Sequence, residues 1–244
     1  MSTIAIVCEA PADRATVVAI LDCVLCTHVD WYEPDSGFAS FRGYLPTDTQ
    51  LLWQDTKHLA KQQRVSVQGF MRGAPASPDA HNAKRALLLF ARRNLDHYDP
   101  IDAVILLRDS DGDNTRHVGL TQARDEADWP FTVIIGVAHT KRECWHICGF
   151  EPDADELPFV ETLRQELGFD PRLHSHELTA KHDHDKLSAK RVLSILTNDR
   201  FEREMGCIPV SIGVSEQRGN QNGLAKFLTE VRERLVLSLF AVRK

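Results

Sequence analysis

Short apolar runs rich in β-branched residues alternate, over the first 140 residues, with segments whose apolar positions recur at helical spacing. Residues 3–8 read Thr-Ile-Ala-Ile-Val-Cys. Glu9, Ala10 and Pro11 follow, and then Val17, Val18, Ile20, Leu21, Val24 and Leu25 fall on one helical face. Proline suits a first helical turn, where its missing N–H would find no partner. The pattern predicts strand, tight turn, helix. The strongest strand signal is 102–107, Asp-Ala-Val-Ile-Leu-Leu, which runs straight into Arg108-Asp109-Ser110-Asp111-Gly112-Asp113. Residues 64–70 and Phe131 to Val137 read as two more strands. Helices are expected at 80–96 and 115–128, and an irregular insertion at 34–50, where Gly, Pro, Ser and aromatics show no period. Strands separated by helices pair in parallel through right-handed crossovers, and near-continuous apolar strands suit a sheet covered on both faces. The expectation is an α/β fold with a four-stranded open parallel sheet, Rossmann-like, flanked by helices over residues 1–150. A helical extension over 151–244 packs on it, since 141–149, 155–167, 186–198 and 223–240 all carry helical spacing.

The chain has 244 residues, enough for such a domain with an appendage. Hydrophobic residues make up 43% and charged residues 26%, which is globular usage and excludes a disordered class. No apolar run reaches the roughly 18 residues that span a bilayer, and the N-terminus has no signal-peptide pattern. A cytoplasmic location without membrane association is expected. The formal net charge of −6 provides no global attraction to nucleic acid, so any phosphate binding must be local. Cys23 and Cys26 form a C-x-x-C, but a zinc ribbon needs a second such pair, and Cys144 with Cys148 has the wrong spacing. These thiols are read as buried small side chains in helices. The phosphate-loop, dinucleotide-binding and nucleophile-elbow motifs are all missing from the sequence.

Ligands in open α/β sheets sit beyond the carboxyl ends of the strands. Glu9 stands at the end of the first strand, and Asp109 and Asp111 just past the third. In extended backbone, residues two apart point the same way, so Asp109 and Asp111 are expected to face one site. Three crowded carboxylates repel one another unless a cation intervenes, and an oxygen-only set favours magnesium or manganese over zinc. Asp-Ser-Asp-Gly-Asp is equally an ordinary solvated turn. An EF-hand is rejected: Asn114 stands where its glycine belongs and Leu120 where its bidentate acid belongs.

An apolar strand ending in Glu, with a later one ending in Asp-x-Asp, resembles the TOPRIM domain over about residues 1–140. That family includes topoisomerases, primases and the Old-type nucleases. The resemblance implies that Glu9, Asp109 and Asp111 bind magnesium. Ala10 replaces the family's usual glycine. Asp13 takes the place of a second acid found in the Old-type branch. The segment His139-Thr-Lys-Arg-Glu143-Cys-Trp145 resembles the Glu-x-Trp segment of small stand-alone TOPRIM proteins associated with ABC-type ATPases in bacterial antiphage systems. Asp13, Asp113 and Glu143 are then candidate ligands of a second ion. Glu143 reads equally as a helix N-terminal acid, and Trp145 as core.

The family also implies a late lysine that offsets developing charge. Lys190 is preferred, with Lys186 and Lys181 open. Arg108 and Arg116 flank the acidic loop and can hold phosphates. His174, His176, His182 and His184 have metal-ligand spacing within what also reads as an exposed loop; a zinc site or a general-base role stays open. The resemblance therefore implies a nuclease acting on DNA or RNA with magnesium or manganese, partnered by an ABC-type ATPase, and leaves a homo-oligomer open. A non-catalytic interaction subunit is the alternative, and a phosphatase or nucleotidyl transferase a third reading.

Overall fold

The computed structural model describes residues 2–71, 74–95 and 100–240. By compactness the chain divides into two units. The first comprises Met1–Arg108, Asn114–Gly136 and Thr229–Lys244; the second comprises Asp109–Asp113 and Val137–Leu228.

The first unit is built on β1 (Ser2–Cys8), buried at every residue after Ser2. It leads through Glu9 and Ala10 into α1 (Pro11–His28), whose buried stripe is Thr16, Val17, Ile20, Leu21, Val24 and Leu25. Two short strands, β2 (Ala39–Arg42) and β3 (Leu51–Leu52), follow one another on β1. Both are parallel to it, with pairs Ser2↔Ala39 to Ala5↔Arg42 and then Val7↔Leu51 and Cys8↔Leu52. Between them the chain loops out over 43–50 and returns tightly: a Cβ at Gly43 would lie 2.5 Å from the Gln50 carbonyl, so only glycine fits. After α2 (Trp53–Gln62) come β4 (Phe70–Met71) and β5 (Ala74–Pro75), a separate antiparallel pair. Then come α3 (Pro78–Leu95) and β6 (Ala103–Asp109), which runs parallel to β1 from Ile4↔Ala103 to Val7↔Leu106. α4 (Thr115–Arg124) lies close against α3 because Gly119 has no Cβ; one would sit 3.0 Å from the Ala80 nitrogen. β7 (Thr132–Ala138) completes the order β2-β1-β6-β7. The fold is the expected α/β class with a parallel sheet of about five strands.

Two expectations need correction. Residues 64–70 do not form a sheet strand: Arg64 is left-handed (φ 54°), 65–68 are irregular, and only Phe70–Met71 pairs, outside the main sheet. Alternating polar residues at 64, 66 and 68 leave no run able to be buried on both faces, as a central parallel strand requires. The neighbour of β1 instead comes from the supposed insertion, as Ala39–Arg42.

In the second unit α5 (Glu143–Ile147), α6 (Leu157–Leu167), a 3-10 turn (Ser175–Glu177) and α7 (Ala189–Thr197) precede three short helices. These are α8 (Phe201–Met205), α9 (Cys207–Gly213) and α10 (Ser215–Arg218). Their core joins Cys144, Ile147, Phe150, Val160, Leu163, Leu178, Val192 and Leu196. Helices of four to seven residues, with Gly206 between two of them and Pro209 and Gly213 inside α9, are too short to show a period that a sequence reading can detect. α11 (Leu224–Glu230) and a π-helical segment (Val231–Phe240) end the described chain. The expected boundary at 150 falls inside the second unit, and the terminal segment from Thr229 belongs with the sheet. Among the described residues no helix is long and apolar enough to cross a membrane.

Candidate functional site

In the first unit Glu9 follows the carboxyl end of β1. The turn that presents it is held by Asp13, whose Oδ2 accepts the backbone N–H groups of Glu9 (3.0 Å) and Ala10 (2.8 Å). Asp13 is thus the carboxylate half of a capping box at the start of α1, where orphan N–H groups need acceptors. The Glu9 side chain is 36% exposed, and its Oε1 lies 3.7 Å from Arg108 Nη1 and 3.6 Å from Arg116 Nη1. Exposed pairs at such distances contribute only about 0–1 kcal/mol, so an incoming cation or phosphate can displace them. Arg108 is itself fixed, with Nε 2.9 Å from Asp79 Oδ1 and its guanidinium 5.4 Å above the Trp53 ring. Trp53 in turn donates from Nε1 to the Leu107 carbonyl (2.6 Å). Glu9, Trp53, Gln54, Asn82 and Arg108 line a cavity of about 280 Å³.

In the second unit the acidic loop leaves β6 through Asp109. Asp109 Oδ1 accepts the backbone N–H of Arg142 at 2.8 Å. The Ser110 N–H donates to the Ala138 carbonyl (2.8 Å) and the Asp111 N–H to the Thr140 carbonyl (3.0 Å). Asp111 (φ 47°) and Gly112 (φ 80°) are both left-handed, and the Asp113 N–H closes the turn on the Ser110 carbonyl. Asp111 is therefore not extended, and the period-two argument that set it beside Asp109 does not describe it; aspartate tolerates this region because its short side chain can bond locally. Asp111 and Asp113 are exposed and Asp109 is half-buried.

Glu143 opens α5 with its side chain 13% exposed, its Oε1 3.3 Å from Arg142 Nη2. Arg142 is the residue sequence reasoning passed over. It is buried, gives its backbone to Asp109, and sends Nη1 to Glu204 (2.5 Å) and to His146 Nε2 (3.0 Å). Its flanks, Lys141 and Glu143, were the only signal that a charge cluster sits here. Arg142, Glu143, Lys190 and Glu204 share the lining of a second cavity of about 280 Å³. Lys190 Nζ donates to Asp183 Oδ2 (2.7 Å), and this bond raises its pKa from the ordinary lysine value. Trp145 is fully buried, stacked on Phe227 at 5.2 Å, with Nε1 donating to the Asn222 carbonyl (2.8 Å), as a core residue should be.

His139 was likewise unassigned. Its Nδ1 lies 2.8 Å from Ser110 Oγ, and burial lowers its pKa, which keeps it neutral at pH 7. Among the four loop histidines, His174 and His176 meet Glu177, with one ligand atom from each within 4.8 Å of the others. His182 and His184 are exposed. All six cysteines are unpaired thiols; Cys144 and Cys148 are buried as expected, whereas Cys23 is half-buried and Cys26 exposed. Comparison with protein-family models, characterised proteins and solved structures found no match to this chain.

Proposed function

We propose that this chain is a TOPRIM-type nuclease that cuts the phosphodiester bonds of DNA or RNA with magnesium or manganese. One observation carries the reading: β1 and β6 pair in parallel up to Val7↔Leu106. Each strand then runs on into acidic residues at its carboxyl end, Glu9 after one and Asp109 with Asp111 after the other. Ligands of open α/β sheets gather at that edge. The donor atoms are carboxylate oxygens on half-buried or exposed side chains, which suits hard ions that keep part of their water shell.

By the family resemblance, Glu9, Asp109 and Asp111 would hold the principal ion, and Asp113 and Glu143 would serve a second. Such an ion, when bound, neutralises charge on the phosphate and favours attack by water. The chain's own groups do the positioning. The Arg142 amide orients Asp109. Asp13 sets the Glu9 turn through two backbone bonds rather than joining the ion set. Arg108 and Arg116, already beside Glu9, take phosphate oxygens as bidentate donors. Lys190, a cation paired with Asp183, offsets negative charge that develops on the phosphate. By the family resemblance, the cutter is the effector of an antiphage system and an ABC-type ATPase controls it.

The test is a cleavage panel of plasmid, single-stranded DNA, tRNA and mononucleotides, run with magnesium, manganese and then EDTA. The wild type should cut polymeric nucleic acid and stop with EDTA. Glu9→Gln and Asp109→Asn should each lose at least about a hundredfold in rate at unchanged melting temperature. Metal charge stabilisation is worth several kcal/mol, and each ~1.4 kcal/mol is a factor of ten. Undiminished cutting by Asp109→Asn would sink the assignment. Failure of the wild type to cut any substrate would leave the interaction-subunit reading standing instead, and hydrolysis confined to mononucleotides would indicate a phosphatase.

A further inference from the structure

The histidine turn of the second unit has a construction that the nuclease reading does not use. Ser175, between the two histidines, is fully buried. Its carbonyl accepts from the Cys144 thiol (3.1 Å) and its Oγ from Asn222 Nδ2 (3.1 Å). Three residues on, Leu178 is also fully buried, and its carbonyl accepts from Thr140 Oγ1 (2.6 Å). The backbone is thus pinned on either side of His176 and Glu177, and the Glu177 N–H closes the turn on the His174 carbonyl (2.9 Å). Three side chains converge on its outer face. Glu177 Oε1 lies 3.4 Å from His174 Nδ1 and 3.9 Å from His176 Nε2. The Phe169 and His174 rings are near perpendicular, with centroids 6.1 Å apart.

We propose that His174, His176 and Glu177 bind a borderline divalent cation of the zinc type, at a site separate from the acidic loop. In a tetrahedral zinc site with bonds of about 2.0–2.1 Å, ligand atoms stand roughly 3.3 Å apart. The Glu177–His174 separation already meets this, and side-chain rotation closes the remainder without moving the pinned backbone. Two imidazoles with one carboxylate select zinc and its neighbours over magnesium, which wants oxygen alone. The side chains of His174 and Glu177 are 47% and 49% exposed, so solvent reaches the fourth position, as in zinc sites with three protein ligands.

The full-length chain, stripped with a chelator, should bind zinc chloride at one tight site per chain by calorimetry. Cobalt(II) should give a tetrahedral absorption band that excess magnesium leaves in place. A His174→Ala/His176→Ala variant should bind at least about a hundredfold more weakly, since even outer-shell partners of a ligand are worth 10–100-fold. Glu177→Gln, at an exposed position where refolding is not at stake, should also weaken binding and blunt the cobalt band. Asp109→Asn and Cys23→Ala/Cys26→Ala should bind zinc as the wild type does. Wild-type affinity in the double histidine variant, or loss of the site in Asp109→Asn or in the cysteine variant, would overturn the assignment. Zinc stoichiometry is read without any cleavage assay, so this inference and the nuclease reading fail separately.

Discussion

Arg142 shows how one buried cation organises its surroundings. Its guanidinium reaches Glu204 and His146 while its backbone N–H holds Asp109. His146 is fully buried; Nε2 faces the Arg142 donor and so accepts, and Nδ1 donates to the Glu204 carbonyl (2.9 Å), which selects the neutral Nδ1–H tautomer. Burial first, and then the Arg142 charge, push its pKa down to about 3. Below its ordinary value of roughly 6.5, the unfolded chain takes up a proton that folded His146 refuses. Stability therefore falls as pH falls from there toward 3, by up to about 1.4 kcal/mol per pH unit. His139 and His176, also lowered, act in the same direction. Between pH 7.5 and 5.5 the wild type should lose about 1 kcal/mol more than His146→Gln, a glutamine being able to donate and accept in its place. Urea titrations at both pH values measure this, and parallel pH dependences would refute it.

At the scale of the element, α1 depends on a carboxylate inside its first turn. Asp13 is buried and bonds the N–H groups of Glu9 and Ala10, which places a structural requirement one turn away from the residue assigned to the ion. Asp13→Ala should cost about 1 kcal/mol by loss of the cap. Asp13→Asn, which keeps an acceptor oxygen, should stay within about 0.5 kcal/mol of wild type and retain cleavage. Thermal melts and the cleavage assay together separate capping from ligation: a stable Asp13→Asn protein that no longer cuts would make Asp13 a ligand. The helix itself was legible, because Pro11 marks its start and its apolar positions recur over 18 residues. Its cap was not, because Asp13 read as a family acid and only the hydrogen bonds show which atoms it serves.

Across the whole molecule, the last segment behaves unlike the extension expected from sequence. Thr229–Lys244 belongs to the sheet-bearing unit, where Val231, Leu235, Val236 and Phe240 are buried. Arg124 Nη1 meets both Glu230 carboxylate oxygens at 2.9 Å. Burying each large apolar side chain contributes roughly 1.5–3 kcal/mol, against a whole-domain stability on the order of 5–15 kcal/mol. A chain truncated after Leu228 should lose its cooperative melt or become insoluble; a truncated form melting like wild type in circular dichroism would contradict the division. By itself the sequence determined β1, α1, α3, β6 and β7, because burial on both faces of a sheet or one face of a helix imposes a period on a run of residues. It also determined that acids end the strands. Only the tertiary structure decided that Ala39–Arg42 is the sheet partner, that Asp111 turns left-handed, that Arg142 joins Asp109 to Glu143, and that two histidines meet a glutamate. Each of those rests on what a distant stretch of chain offers in space, an open strand edge or a hydrogen-bond partner, and no local pattern encodes that.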